Sequence, residues 1–256
     1  MSKYFNVKFR PDIVDGDISL VIDDDKTDAA FGVNDVLFDW QTVNMPKGGA
    51  RLLGATIVVG GLHGAAQGAK DMELIFARSI DGVLPLSIGT VNSAASELSM
   101  HSHVIGALTM DKDNGVAATT TCNILSTISG GADQSGQPAI VLEGEPSTIM
   151  GYDTIYVAGI TSGALNFSTN VLSNAVVGDA TAATATTGIA TKTTDPRKVF
   201  SPGDILYIHD VDVAIGTVKS VTDNDIILES PNVGAIAESD ELINATPIKI
   251  TLHCES

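Results

Sequence analysis

Four aspartates near the N-terminus are the first side chains in this sequence that could bind a ligand. Asp23, Asp24, Asp25 and Asp28 lie within a single short run. Calcium prefers several carboxylate and carbonyl oxygens supplied by a flexible loop. The glycine and the final glutamate of an EF-hand are missing at the required offsets. The run therefore indicates a weak calcium site, and a solvated acidic turn is the alternative interpretation.

Two histidines form the second candidate ligand set. His101 and His103 are separated by one serine, and side chains two residues apart in a strand point to the same face. Zinc needs three or four such ligands, so His63, His253 or an acid would have to complete the site. The pair indicates a very weak zinc site, with ordinary surface or half-buried histidines as the alternative.

Sequence motifs of catalysis are absent. The glycine-rich run 60–68 lacks the Gly-Lys-Ser/Thr of a phosphate-binding loop. The nucleophile pattern Gly-x-Ser-x-Gly does not occur. Among 31 acidic residues paired carboxylates arise by chance, so they define no glycosidase dyad. We expect a protein that is not an enzyme and that needs no cofactor, calcium excepted.

The charge balance restricts the partners. The chain has 256 residues, and 31 Asp and Glu against 14 Lys and Arg give a net charge of −17. Such a surface repels phosphate backbones and anionic lipids, so we expect neither a nucleic-acid nor a membrane partner. The N-terminal residues contain no apolar signal-peptide core. We therefore expect synthesis in the cytoplasm without a recognisable export signal.

The elements that would position these side chains are strands. β-branched and alternating runs recur at 7–10, 50–59, 72–78 and 153–160, and turn residues separate them. No long stretch shows the 3.6-residue periodicity of an amphipathic helix. The pattern predicts an all-β protein, an antiparallel, jelly-roll-like β-sandwich.

A second module is predicted near the C-terminus. Residues 197–244 contain three short strand signals with turn dipeptides between them, which favour a small β-barrel. The preceding segment, 166–196, is rich in Ala, Thr and Gly and reads as a linker or an edge segment.

The end of the chain predicts a discontinuous sandwich. The run Ile248–Leu252 is one more strand, with no strand signal after it. We expect it to return to the sheets of the first half, so that the sandwich comprises 1–165 plus 245–256. Two modules in simple tandem are the alternative.

Two N-terminal runs carry a resemblance to a known class of proteins. They are Asn34-Asp-Val-Leu-Phe-Asp-Trp through Ala55-Thr-Ile-Val-Val59, and Glu73-Leu-Ile-Phe-Ala-Arg-Ser-Ile-Asp-Gly-Val83. In these runs the chain resembles uncharacterised virion structural proteins of tailed phages, particularly those of marine bacteria such as cyanobacteria. The resemblance covers about the first 110 residues and implies no functional residue.

The resemblance implies a place in the virion. We expect a capsid decoration, or cement, protein that stabilises the shell by contacts with the major capsid protein or other virion proteins. A closed homo-oligomer, a trimer, would match a local symmetry axis of the shell. A neck, tail or fibre-base component is one alternative. A calcium- or carbohydrate-binding adhesive module is the other.

Overall fold

The short β-branched runs of the sequence form strands along the described chain. A computed structural model describes residues 3–11, 31–60, 68–96, 103–113, 116–118, 122–129, 139–165, 167, 171–172, 187–191, 195–208, 213–234, 236 and 242–256. Within these residues the helical element is a single 3-10 turn at Pro196–Lys198, capped by the Asp195 carboxylate. The strands, in chain order, are β1 (Tyr4–Phe9), β2 (Asp35–Pro46), β3 (Ala50–Gly60), β4 (Met72–Ala77), β5 (Val104–Met110), β6 (Val116–Ala118), β7 (Cys122–Ile128), β8 (Val141–Leu142), β9 (Glu145–Pro146), β10 (Tyr152–Thr161), β11 (Val171–Leu172), β12 (Gly188–Ala190), β13 (Ile205–Ile208), β14 (Val213–Val221), β15 (Asp225–Leu228), β16 (Leu242–Asn244) and β17 (Ile248–Glu255).

Two antiparallel sheets pack face to face and form a sandwich. Sheet A has the strand order β1-β17-β3-β7-β6, with β8 paired to β3. Sheet B has the order β2-β10-β4-β5, with β9 paired to β10. The predicted all-β, antiparallel sandwich is therefore confirmed.

The core between the sheets is aliphatic, with a few phenylalanines. Along β17 the inward positions alternate strictly, so that Ile248, Ile250 and Leu252 are buried. They share one hydrophobic cluster with Phe38 and Phe76 of sheet B. Full burial of each such side chain stabilises the fold by about 1.5–3 kcal/mol. A shift of one residue would turn these side chains to solvent, so their burial fixes the register of the strand.

The final strand lies inside sheet A, between β1 and β3. Its register places Val7 opposite Leu252 on one side and Ile57 opposite Ile250 on the other. The N-terminal and C-terminal strands of the described chain are thus direct neighbours, as the prediction for Ile248–Leu252 requires.

The residues before β17 form a third sheet. Sheet C has the order β11-β16-β13-β14-β15-β12, and it buries a cluster of its own that includes Leu206, Ile215 and Ile226. Among the described pairings, β11 and β12 remain the two ends of this sheet. The closed barrel expected for 197–244 is therefore not found among the described residues.

The segment that reads as a linker supplies both ends of sheet C. Its small residues leave few apolar side chains, yet Ile189 of β12 is fully buried and pairs with Ile226 of β15. Short edge strands are common at the ends of native sheets, because they limit the length of unpaired backbone. The division into 1–165 plus 245–256, 166–196 and 197–244 stays a prediction.

Candidate functional site

The predicted metal ligands fall largely outside the described residues. Asp23, Asp24, Asp25 and Asp28 lie there, and so does His101. The calcium and zinc sites therefore stay predictions. In the part of the chain that the structure describes, no group of three or more His, Cys, Asp or Glu side chains is arranged to hold a metal ion.

The second histidine of the predicted zinc pair has a structural contact. His103 Nδ1 lies 2.9 Å from the backbone oxygen of Arg78. A carbonyl oxygen only accepts, so Nδ1 carries the proton and donates. Nε2 of the neutral ring is then the nitrogen with a lone pair for a metal.

A buried carboxylate is the centre of a polar cluster between sheets A and C. The Asp204 side chain is 0% exposed, and Arg10 Nη1 lies 2.6 Å from its Oδ1. Its Oδ2 accepts hydrogen bonds from Lys249 Nζ at 3.3 Å and from Asn244 Nδ2 at 3.0 Å. Because two cations and an amide compensate it, the carboxylate can be buried as an ion. We call Arg10, Ser201, Asp204, Asn244 and Lys249 the Asp204 cluster.

The local sequence Ser201-Pro-Gly-Asp204 builds the centre of this cluster. The Ser201 backbone N–H donates to Asp204 Oδ2 at 2.7 Å, and the Asp204 N–H donates back to the Ser201 carbonyl at 3.0 Å. Gly203 has φ +86°, and a Cβ there would lie 2.9 Å from Arg10 Nη1. Glycine is needed at this position both for the turn and for the approach of the guanidinium.

The cluster contains a serine and a lysine in contact, which raises the question of a nucleophile. Lys249 Nζ donates a short hydrogen bond to Ser201 Oγ. The same Nζ also donates to Asp204 Oδ2 at 3.3 Å, and Ser201 Oγ lies 3.1 Å from that oxygen. The serine and the lysine therefore both contact the buried carboxylate. The cluster is built as an ion network that joins sheet A to sheet C.

Sequence reasoning could not find this cluster. Arg10 and Asp204 are 194 residues apart, and the contact depends on β17 entering sheet A beside β1. The local sequence Ser201-Pro-Gly-Asp204 predicts a turn, but it does not reveal which residues the Asp204 carboxylate contacts.

A groove opens beside the cluster. Its volume is about 450 Å³. It lies at the end of β1, on the side where β1 and β17 turn their polar side chains outward. The lining residues are Lys8, Phe9, Arg10, Lys249, Ile250 and Thr251.

A row of polar side chains crosses the outer face of sheet A. His253 Nδ1 donates to Asn6 Oδ1 at 2.9 Å, and His253 Nε2 lies 3.0 Å from Thr56 Oγ1. Thr56 Oγ1 is in turn 3.0 Å from Ser126 Oγ. These bonds connect β1, β17, β3 and β7. Both ring nitrogens of His253 are therefore engaged in contacts within sheet A.

A second groove lies on the outer face of sheet B and has an apolar rim. Its volume is about 390 Å³, and Leu84 and Ile149 line it together with Thr42, Thr154 and Tyr156. Beside these, Val83 and Met150 point into solvent, and Met150 is 94% exposed. We call Val83, Leu84, Ile149 and Met150 the apolar surface.

A glutamate fastens the two loops that carry the apolar surface. Both carboxylate oxygens of Glu145 accept from the Gly82 N–H, at 3.0 and 3.3 Å. A hydrogen bond from the Ser79 side chain, followed by that from Gly82, holds the pKa of Glu145 below its ordinary value of 4.5. The carboxylate is therefore ionised at neutral pH and keeps the turn of Gly82 against β9.

The two cysteines are far apart along sheet A. Cys122 pairs with Gly60 and Cys254 with Leu52, both on β3. Eight residues of strand separate these partners (60 − 52), or about 26 Å at 3.3 Å per residue. This separation is far greater than the roughly 7 Å between Cα atoms that a disulfide can span. Burial raises the pKa of the Cys254 thiol to about 11.

Comparison with known proteins finds no similar family, protein or structure. No protein-family model matches the chain, and neither a curated protein nor a solved structure is significantly similar to it. The described residues include no helix of the length and hydropathy that a membrane crossing requires.

Proposed function

We propose that the protein is a structural virion protein of a tailed phage, and specifically a capsid decoration protein. The observation that carries the proposal is the apolar surface. Val83, Leu84, Ile149 and Met150 are each more than half exposed, and Leu84 and Ile149 line the same groove of sheet B. Contiguous exposed apolar patches on a folded protein usually mark contacts with another protein.

The charges around this surface support a protein contact. With a net charge of −17, two copies of the chain repel each other, and so do the chain and any acidic shell. Among the described residues that line the sheet B groove, Glu145 is the only charged one. The apolar surface is therefore a place where an acidic protein can approach a neighbour without bringing like charges together.

The architecture supports a role based on contacts rather than on chemistry. Decoration proteins work by burying interface area across neighbouring shell subunits, about 800 Å² on each partner for an interface of standard size. The Asp204 cluster, which contains a serine and a lysine, is arranged as an ion network.

Immunogold labelling of intact and tailless particles tests the proposal. Antibodies raised against this chain are applied to purified particles of the phage that encodes it. A decoration protein gives label spread over the shell. Label confined to the neck or tail would support the alternative assignment to those parts. Particles without any label, at a titre that detects the purified protein, would contradict a virion role.

A further inference from the structure

The groove at the end of β1 gathers positive charge in an acidic protein. Lys8, Arg10 and Lys249 all line it, although the whole chain has only 14 Lys and Arg. Among the residues that the structure describes, the buried Asp204 is the acid that pairs with Arg10 and Lys249. The local charge of these four side chains is therefore +3 − 1 = +2.

The cations have hydrogen-bond donors to spare. Arg10 contacts Asp204 through Nη1 alone, while a guanidinium offers five N–H donors. The Lys8 side chain makes no hydrogen bond or ion pair with any residue that the structure describes. Thr251, opposite Lys8 in the register, adds a hydroxyl group to the lining.

The arginine is held in place before any ligand arrives. The guanidinium lies against Gly203, where a Cβ would come within 2.9 Å of Nη1. The ion pair between Nη1 and Asp204 Oδ1, at 2.6 Å, fixes its position. A guanidinium that is already oriented loses little side-chain entropy when it binds, and its planar fork matches the oxygens of a carboxylate or a phosphate.

The overall negative charge does not cancel this local field. At physiological ionic strength the Debye length is about 8 Å, so distant carboxylates are screened, whereas the three cations share one groove. An anion is repelled by most of the protein surface and attracted here. Such a contrast favours selective binding at one place.

We propose that this groove, lined by Lys8, Arg10, Lys249 and Thr251, binds an oxyanion, a carboxylate or phosphate group. This groove shares no residue with the apolar surface, and anion binding there does not require a virion role. The ligand is a small anion, or the anionic group of a larger molecule, that fits a volume of about 450 Å³.

Calorimetric titration of the full chain at physiological ionic strength, where distant carboxylates are screened, tests the proposal with two probes, inorganic phosphate and succinate. Lys8→Gln removes one cation without disturbing the Asp204 cluster. Lys219→Gln, an exposed lysine on β14, is the matched control. We expect saturable binding of one or both probes, weakened about three- to fivefold by Lys8→Gln, as the loss of one partly exposed charge predicts, and unchanged by Lys219→Gln.

The two probes also identify the source of the anion. Binding of phosphate alone assigns the groove to phosphate groups, and binding of succinate alone assigns it to carboxylates. Absence of binding by both probes would overturn the proposal. Equal affinities of the wild type and Lys8→Gln would overturn it too. Equal weakening by Lys8→Gln and Lys219→Gln would do the same, because it would show that binding depends only on the net charge of the protein.

Discussion

Asp204 joins sheets A and C through its carboxylate. Its carboxylate is fully buried and balances Arg10 and Lys249. Asp204→Asn keeps the shape but removes the charge, which leaves two cations without their partner. We expect a loss of about 2–3 kcal/mol in the free energy of unfolding, because breaking a buried, charge-assisted network is costly. Urea denaturation measures it.

The matched control for this substitution is Asp223→Asn. Asp223 lies in the exposed turn between β14 and β15, and a surface change of this kind alters stability by no more than about 0.5 kcal/mol. Equal stabilities of Asp204→Asn and Asp223→Asn would show that the Asp204 cluster does not hold the sheets together.

Cys254 should be chemically inert in the folded protein. Only the thiolate reacts quickly with alkylating reagents, and burial raises the pKa of this thiol to about 11. At pH 8 we therefore expect iodoacetamide to modify Cys254 far more slowly in the native protein than in urea, as followed by peptide mass spectrometry. Equal rates with and without urea would show that β17 is not packed as described.

At the scale of single elements, β3 approaches β7 closely at one glycine. Gly54 of β3 lies against the backbone carbonyl of Thr127 on β7, and a Cβ at this glycine would overlap that oxygen. Backbone atoms cannot rotate away as a side chain can. We expect Gly54→Ala to destabilise the fold by about 1–3 kcal/mol, measured as a shift of the urea midpoint.

Gly68→Ala is the control for this prediction. Nothing lies within 4 Å of a Cβ placed at Gly68, so no overlap arises there. The two substitutions add the same methyl group to the same chain. If both variants unfold at the same urea concentration, the close approach of β3 and β7 is not as described.

The strands were predictable from sequence because their side chains alternate. The outward and inward positions of β17 follow strictly from Ile248-Lys-Ile-Thr-Leu, and the absence of a following strand signal suggested that this run pairs with earlier strands. Alternation encodes which face is buried, but it does not encode which strand is the neighbour. This limit explains why a closed barrel was expected, whereas the described strands of sheet C show no closing pair.

The grooves and the Asp204 cluster were not predictable in the same way. The apolar surface combines residues near 84 with residues near 150, and the cluster combines Arg10 with Asp204. Each depends on pairings between strands distant in sequence. An exposed Leu84 and a buried leucine look alike in a sequence, since only the tertiary fold decides which of them is covered.

For the molecule as a whole, calcium distinguishes the proposed function from the adhesive alternative. An assembly built on apolar contacts does not require the metal. We expect the melting temperature and the solution mass to be unchanged when calcium is replaced by a chelator. A clear fall in melting temperature would instead favour a calcium-dependent binding module, with Asp23, Asp24, Asp25 and Asp28 as the first residues to substitute.

The most direct test of the central claim is the solution mass of the protein with and without its apolar surface. Light scattering is applied to the wild type, to the double variant Leu84→Ser/Met150→Ser, and to Val233→Ser as a control, because Val233 is exposed on a different part of the chain. We predict a closed oligomer, a trimer, for the wild type and for Val233→Ser, and the 26.5 kDa monomer for the double variant. A wild type that is monomeric at every concentration, or a double variant with the wild-type mass, would contradict the claim that this surface joins copies of the chain to one another.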